Sequence, residues 1–197
     1  MSIRSVNPYT EKILATFKTQ SIKHVEIKIK ASKKTFNSWK HLTVNQRITH
    51  VKKLALVLKE TKEKYAELMT KETGKVYIES LGEIEKCIWL CKYYTKNGQR
   101  FLKNRKVFAP QYKQSYVEFR PLGVILGIMP WNYPFWLVLR FAIPAIIAGN
   151  VVVLKHSSTV PQTAIEIEQL FKKSGFPKNV FSTLLINSKT SDEMISK

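Results

Sequence analysis

Asn132 stands in the turn Met129-Pro-Trp-Asn-Tyr-Pro134, directly after an apolar run. A primary amide placed there can donate a hydrogen bond to a developing oxyanion, a role in which one donor contributes a few kcal/mol. The other reading of a loop Asn is a side chain that satisfies its own backbone. Lys155 closes a second apolar run, Val151-Val-Val-Leu154, and Ser157 and Ser158 follow where the next helix is expected to begin. A cation with hydroxyls beside a helix N-terminus suits a phosphate or a ribose. A hydroxyl in that place also serves as an N-cap, and the two roles do not exclude each other. Arg140 is the single charge between Arg120 and Lys155, eight residues past Asn132. A cation on an apolar helix must meet a carboxylate or reach solvent.

These residues need a scaffold, and the apolar periodicity supplies one. Residues 122–129, 151–155 and 180–186 read as strands; 135–148 and 160–174 read as helices, the second stopped by Gly175-Phe-Pro177. A βαβαβ run of this kind is one mononucleotide-sized half of a doubly wound parallel sheet, with ligands at the carboxyl ends of its strands. No G-x-G-x-x-G turn follows the first strand, so the ordinary dinucleotide fingerprint is absent.

Upstream, 3–6 and 12–17 read as short strands around Asn7-Pro-Tyr-Thr10. A helix over 21–40 carries Ile22, Val25, Ile29, Phe36 and Trp39 at helical spacing. The capping box Thr43-Val-Asn-Gln46 opens one long amphipathic helix, with Ile48, Val51, Leu54, Ala55, Leu58 and Leu68 on one face and Gly74 at its end. A further helix spans about 76–101, and Val107–Ala109 with Ser115–Arg120 suggest a strand pair. The expected architecture is α/β: an N-terminal helical layer and short strand pairs packed on a partial, three-stranded doubly wound sheet.

The chain resembles the aldehyde dehydrogenase superfamily, and within it the succinate-semialdehyde dehydrogenase branch. The resemblance is carried by Met129-Pro-Trp-Asn-Tyr-Pro134, by Ala148-Gly-Asn150 with the Val run and Lys155, and by Lys172-Lys-Ser-Gly-Phe-Pro177. Asn7-Pro-Tyr-Thr10, Trp39-Lys40, Lys71-Glu-Thr-Gly-Lys75 and Gly82-Glu-Ile-Glu-Lys86 agree in the same order. It covers the whole chain but corresponds to the N-terminal part of the family, an incomplete aldehyde dehydrogenase fold. Residues 1–120 then form N-terminal helices and hairpin strands of the cofactor and oligomerisation region. Residues 121–197 form the first half of the NAD(P)-binding domain, and the catalytic domain is absent.

The resemblance implies NAD(P)-dependent oxidation of an aldehyde, succinic semialdehyde in this branch, to its acid. Asn132 would hold the thiohemiacetal oxygen. Ile128, Met129, Pro130, Trp131, Lys155, Ser157 and Ser158 would line the cofactor site, and Arg140 would bind the substrate's distal carboxylate. The family marks NAD specificity with a Glu three residues past the Lys; Ser158 stands there instead, which leans to NADP with NAD left open. The catalytic Cys and the Glu that activates water are not among these residues. The isolated chain is therefore expected to turn over nothing. The alternative is a truncated or split cofactor-binding subunit that needs a C-terminal partner chain. Full-length members imply a homo-oligomer.

Composition bounds the rest. Cys87 and Cys91 sit four apart on one helical face far from the family's nucleophile, and read as buried apolar residues rather than a zinc site or a catalytic thiol. His24, His41, His50 and His156 show no metal spacing, so no metal is expected; His156 could touch cofactor or act locally beside Lys155. Two Cys and no apolar leader point to the cytoplasm. The net charge of +19 is concentrated early, with 26 Lys and Arg against 10 acids through Arg120 and 7 against 4 beyond it. Spread lysines without interleaved aromatics and arginines favour a solvated exterior over a specific nucleic-acid groove. The uncharged run 121–139 is long enough to span a bilayer, but Pro130, Asn132 and Pro134 interrupt it and Arg140 follows at once, which argues against a membrane.

Overall fold

The computed structural model describes residues 2–196. Its elements run β1 (Ser2–Val6), β2 (Ile13–Lys18), α1 (Ile22–Trp39), α2 (Val44–Glu60), α3 (Lys62–Thr73), α4 (Tyr77–Phe101), β3 (Arg105–Lys106) and β4 (Tyr116–Val117). They continue with β5 (Val124–Met129), α5 (Pro134–Ile147), β6 (Val151–His156), α6 (Pro161–Lys173), β7 (Phe181–Leu184) and α7 (Ser188–Ile195). The strands β5, β6 and β7 form a parallel sheet in that order, and β1–β2 and β3–β4 are separate antiparallel pairs.

Both faces of the parallel sheet are covered. Val152 and Leu154 of β6 join the large core shared with α2, α4, α5 and α6, whereas Val153 turns the other way onto Val25 of α1 and Ile186. Successive strand residues point to opposite faces, so a strand buried on both sides reads as an unbroken apolar run. The large cluster includes Leu54, Leu58 and Ile84 before Arg120 and Ile143, Ile146 and Phe181 after it, so one core spans both parts of the chain. Gly127 lets α5 lie close on β5: a Cβ there would meet a Phe141 ring carbon at 2.6 Å.

The expected long helix from the capping box to Gly74 is two helices. The capping box forms as read, with Thr43 accepting from the Gln46 amide and the Gln46 side chain accepting from Thr43 N. Thr61 then breaks the run: its hydroxyl donates back to the Val57 carbonyl at 2.6 Å, and its backbone leaves the helical region at φ −117°, ψ 17°. Such back-bonding bends helices. The break resets the helical phase, so Tyr65, Ala66 and Met69 line the core and Leu68 is only half-buried. Gly74 ends α3 in the left-handed conformation at φ 72°.

Two other expectations shift. The strand pair read at 107–109 and 115–120 forms instead as Arg105↔Val117 and Lys106↔Tyr116, its first arm lying just before the expected stretch. No layer covers the segment beyond it, where Phe108 is 91% exposed, and a lone two-stranded ribbon gains too little to extend. The helix α7, started by Asn187 accepting from the Thr190 amide, has no counterpart in the sequence reading. It is eight residues long with only Met194 and Ile195 apolar, too short for a repeat to be read.

Candidate active site

The register of β5 on β6 assembles the site. Ile128 is paired with Lys155 and Met129 with His156, so the turn after β5 and the loop after β6 leave neighbouring strands side by side at their carboxyl ends. Asn132 lies on the exposed turn between Met129 and Pro134, and its amide makes no hydrogen bond among the described residues. Asn7 and Asn150, by contrast, are bound within the fold. Asn7 accepts from Tyr9 and Thr10 N to close its own turn, and buried Asn150 accepts from Leu122 and Gly123 N while donating to Ala145 O. Asn132 is left available to a ligand, while Asn150 anchors the start of β5 to the end of α5.

Around that amide, Ile128, Trp131 and Tyr133 are each about half exposed, and Met129 is half-buried. Together with Pro130 they form an apolar shelf open to solvent, a surface of the kind that marks a binding site. Lys155 is half-buried and has no carboxylate partner among the described residues, and Ser158 is exposed. Arg140 lies exposed on α5, likewise without a carboxylate. It reaches solvent rather than pairing within the fold, which is how an apolar helix tolerates a cation.

Ser157 and Ser158 do not cap the following helix. The helix α6 begins at Pro161 behind Val160, which contributes no side-chain cap, and Ser157 instead closes a local turn by accepting from Thr159 N. The first-turn amides of α6, Gln162 N and Thr163 N, donate to the buried Glu72 carboxylate at 3.0 and 2.9 Å; Ser5 Oγ also donates to it. The start of α5 is treated alike: Phe135 N and Trp136 N both donate to Glu83 at 2.9 Å, and Lys75 Nζ pairs with the same carboxylate at 2.6 Å. Both helix N-termini beside the shelf are thus already neutralised by carboxylates of the N-terminal helices. A cofactor's diphosphate cannot use them in the usual way. Lys155 and the Ser158 hydroxyl, with no acid among residues 155–160, do fit a ribose bearing a 2′-phosphate.

Sequence reasoning missed Glu72, Glu83 and Lys75 as parts of this region. The signal was there: Glu72 and Glu83 fall on the apolar faces of their helices, beside Met69 and Cys87, and a buried carboxylate needs partners. His156 is buried and acts locally. Its Nδ1 accepts from Ser157 N at 2.8 Å, which leaves the proton on Nε2 to donate to the Pro134 carbonyl at 3.0 Å. Burial pushes its pKa down to about 4, with neighbouring Lys155 acting in the same direction, so the ring is neutral.

Neither cysteine suits thiolate chemistry. Burial drives Cys87 well above the ordinary thiol range, aided by the nearby Glu83 charge, and pushes Cys91 up to about 12. Among the described residues no three His, Cys, Asp or Glu side chains gather as a metal site, and no helix is long and apolar enough to cross a membrane.

Fold and site together define a partial doubly wound α/β protein whose polar groups converge at the carboxyl ends of β5 and β6. The chain belongs to the aldehyde dehydrogenase family, whose model matches residues 1–197. It is 40% identical over 196 residues to a probable NADP(+) succinate-semialdehyde dehydrogenase of Synechocystis, covering 100% of this chain and 43% of that protein. It is 34% identical over 192 residues to the NADP(+) succinate-semialdehyde dehydrogenase of Deinococcus radiodurans, covering 98% and 40%. The succinic semialdehyde dehydrogenase of Streptococcus pyogenes, solved with NADP+, superposes with a TM-score of 0.94 at 28% identity, over 99% of this chain and 43% of that one. The chain therefore spans less than half the length of these relatives.

Proposed function

We propose that these residues form the N-terminal, cofactor-side portion of a cytoplasmic, homo-oligomeric dehydrogenase that oxidises succinic semialdehyde with NADP. The observation that carries this reading is the pairing of Ile128 with Lys155, which sets the Asn132 turn beside a cationic strand end. Residues 121–197 act as the first half of the cofactor domain, and residues 1–120 as the helical layer that braces it.

Lys155 and Ser158 hold the adenine-side ribose and its 2′-phosphate; Ile128 to Trp131 form the apolar wall beside the nicotinamide, with Ser157 shaping the loop. The cofactor supplies the hydride acceptor when bound. Asn132 donates its amide N–H to the substrate oxygen as negative charge gathers there. Arg140 pairs with the carboxylate at the substrate's far end. The nucleophilic Cys and the general base come from polypeptide outside this stretch, because both cysteines within it are sealed in the core. These residues alone consequently turn over no aldehyde.

A second reading is a split subunit that binds cofactor and completes its site with a separate C-terminal chain. Thermal melting with NADP+ and NAD+ tests the common part: NADP+ raises the melting temperature more than NAD+, and Lys155→Ala removes the difference. No stabilisation by either nucleotide overturns the reading. Adding a C-terminal chain from a relative and observing NADPH formation from succinic semialdehyde would distinguish the split subunit.

A further inference from the structure

We infer that His156 is a positioning residue that locks the Asn132 turn to the loop after Lys155, so that the two halves of the site move as one. The inference rests on the reading above for its functional consequence, but its geometry is independent of it. His156 ends β6 and is buried, and its ring lies between the start of α5 and the backbone just past β6. Nε2 donates to the carbonyl of Pro134, two residues past Asn132; Nδ1 accepts from the amide of Ser157, two residues past Lys155. Beside it, the main-chain bond from Ser157 N to Met129 O continues the ladder below the turn. Among the described residues His156 is thus the one side chain that spans the two candidate segments.

The imidazole is suited to this task because it offers a donor and an acceptor on opposite sides of a rigid ring. A Leu of similar bulk would fill the space but leave the Pro134 carbonyl without its donor, while Ser157 N would keep only its bond to Met129 O. A Gln would restore a donor and an acceptor on a flexible stem. The amide of Asn132 makes no hydrogen bond of its own within the described residues, so its orientation depends on how the ends of its turn are held. Glu83 fixes the α5 side of that turn through Phe135 and Trp136 N. His156 fixes it against β6.

The test uses the whole chain with His156→Leu and His156→Gln. Nitrogen NMR of the wild type should show the His156 ring neutral, protonated at Nε2 and accepting at Nδ1. A charged or Nδ1-protonated ring at neutral pH overturns the proposal without need of any variant. Fluorine NMR of fluorotryptophan-labelled protein, with the Trp131 signal assigned through Trp131→Phe, reads the turn directly. The Trp131 signal should move in His156→Leu and return in His156→Gln, while the Trp39 and Trp89 signals stay. A stationary Trp131 signal, or all signals moving together, overturns it. NADP+ affinity should fall about tenfold in His156→Leu and recover to within about twofold in His156→Gln. Equal affinities in all three overturn the link to the cofactor. A wild type that binds no NADP+ overturns the proposed function instead, and the NMR results still decide the positioning claim.

Discussion

The Glu83 carboxylate accepts from the Phe135 amide at 2.9 Å across 52 residues of sequence, and the neighbouring Trp136 amide shares the same oxygen. One carboxylate from α4 therefore starts the helix that follows the Asn132 turn. Its second oxygen holds Lys75, whose ammonium also lies 4.1 Å from the Tyr133 ring centroid. The N-terminal helical layer consequently positions the candidate site as well as covering it.

Removing that carboxylate leaves two amides and a mostly buried ammonium without their partner. Breaking a buried, hydrogen-bonded pair from one side costs about 3–5 kcal/mol. Glu83→Ala is expected to lower the urea-unfolding free energy by that amount, and Glu83→Gln by less, since its amide oxygen can still accept. Unfolding curves for Glu83→Ala that match wild type would show that α5 is held by other means.

Gly127 is required by packing rather than by backbone conformation. An alanine Cβ would sit 2.6 Å from a Phe141 ring atom, and overpacking of this kind costs about 1–3 kcal/mol. Gly127→Ala should destabilise the chain in that range. The double variant with Phe141→Leu should recover a substantial part, and strictly additive losses in the double-variant cycle would refute the proposed clash.

Much of this arrangement was legible in the sequence. Strict apolar runs revealed β5 and β6, and Asn132 and Lys155 were placed at the ends of neighbouring strands by that pattern alone. The capping box at Thr43 was read correctly because its donors and acceptors are three residues apart. What local pattern could not show was the helix break at Thr61, where one hydroxyl bonds backwards and the core face passes to Tyr65 and Met69. Nor could it show that Glu72 and Glu83 reach 90 and 52 residues along the chain to cap α6 and α5. Partners that distant leave only an acidic residue on an apolar helix face as their trace. The Ser157 turn was likewise misplaced as a cap because Pro161 starts the helix later.

The neutral His156 gives stability a pH dependence with a definite sign. In the unfolded chain the ring titrates near 6.5; in the fold burial holds it near 4. Between those values the unfolded state binds the proton and the folded state does not, so stability is full above pH 6.5 and falls as pH drops towards 4. The contribution is roughly 3 kcal/mol. Denaturation curves across this window should show a steeper slope than those of His156→Gln, in which half-buried His50, also shifted down by burial, keeps part of the dependence. Parallel curves for the two proteins would contradict it.

Cys87 and Cys91 should be inert in the native state. Both side chains are fully buried, and both thiols are held in the protonated form at neutral pH. Only the thiolate attacks a disulfide reagent, so labelling must wait for unfolding. Native protein should react slowly, and protein in urea should react at both positions within the mixing time. Rapid native labelling at either cysteine would mean that the face of α4 carrying them opens far more readily than its packing indicates.

Ser158 offers the sharpest test of cofactor choice, because one substitution should act on two nucleotides in opposite directions. The loop 155–160 contains Lys155 and no acid, so a 2′-phosphate meets only attraction there. Ser158→Glu would place a carboxylate beside the ribose, where it can accept from a 2′-hydroxyl and repel a 2′-phosphate. NADP+ binding should weaken about tenfold or more, the effect of a like charge worth about 1.4 kcal/mol, while NAD+ binding is kept or improved. Titration calorimetry with both nucleotides reads this as a reversal of preference. If Ser158→Glu weakened both equally, the carboxylate would be disturbing the loop rather than meeting the ribose, and the adenine-side ribose would have to lie away from β6.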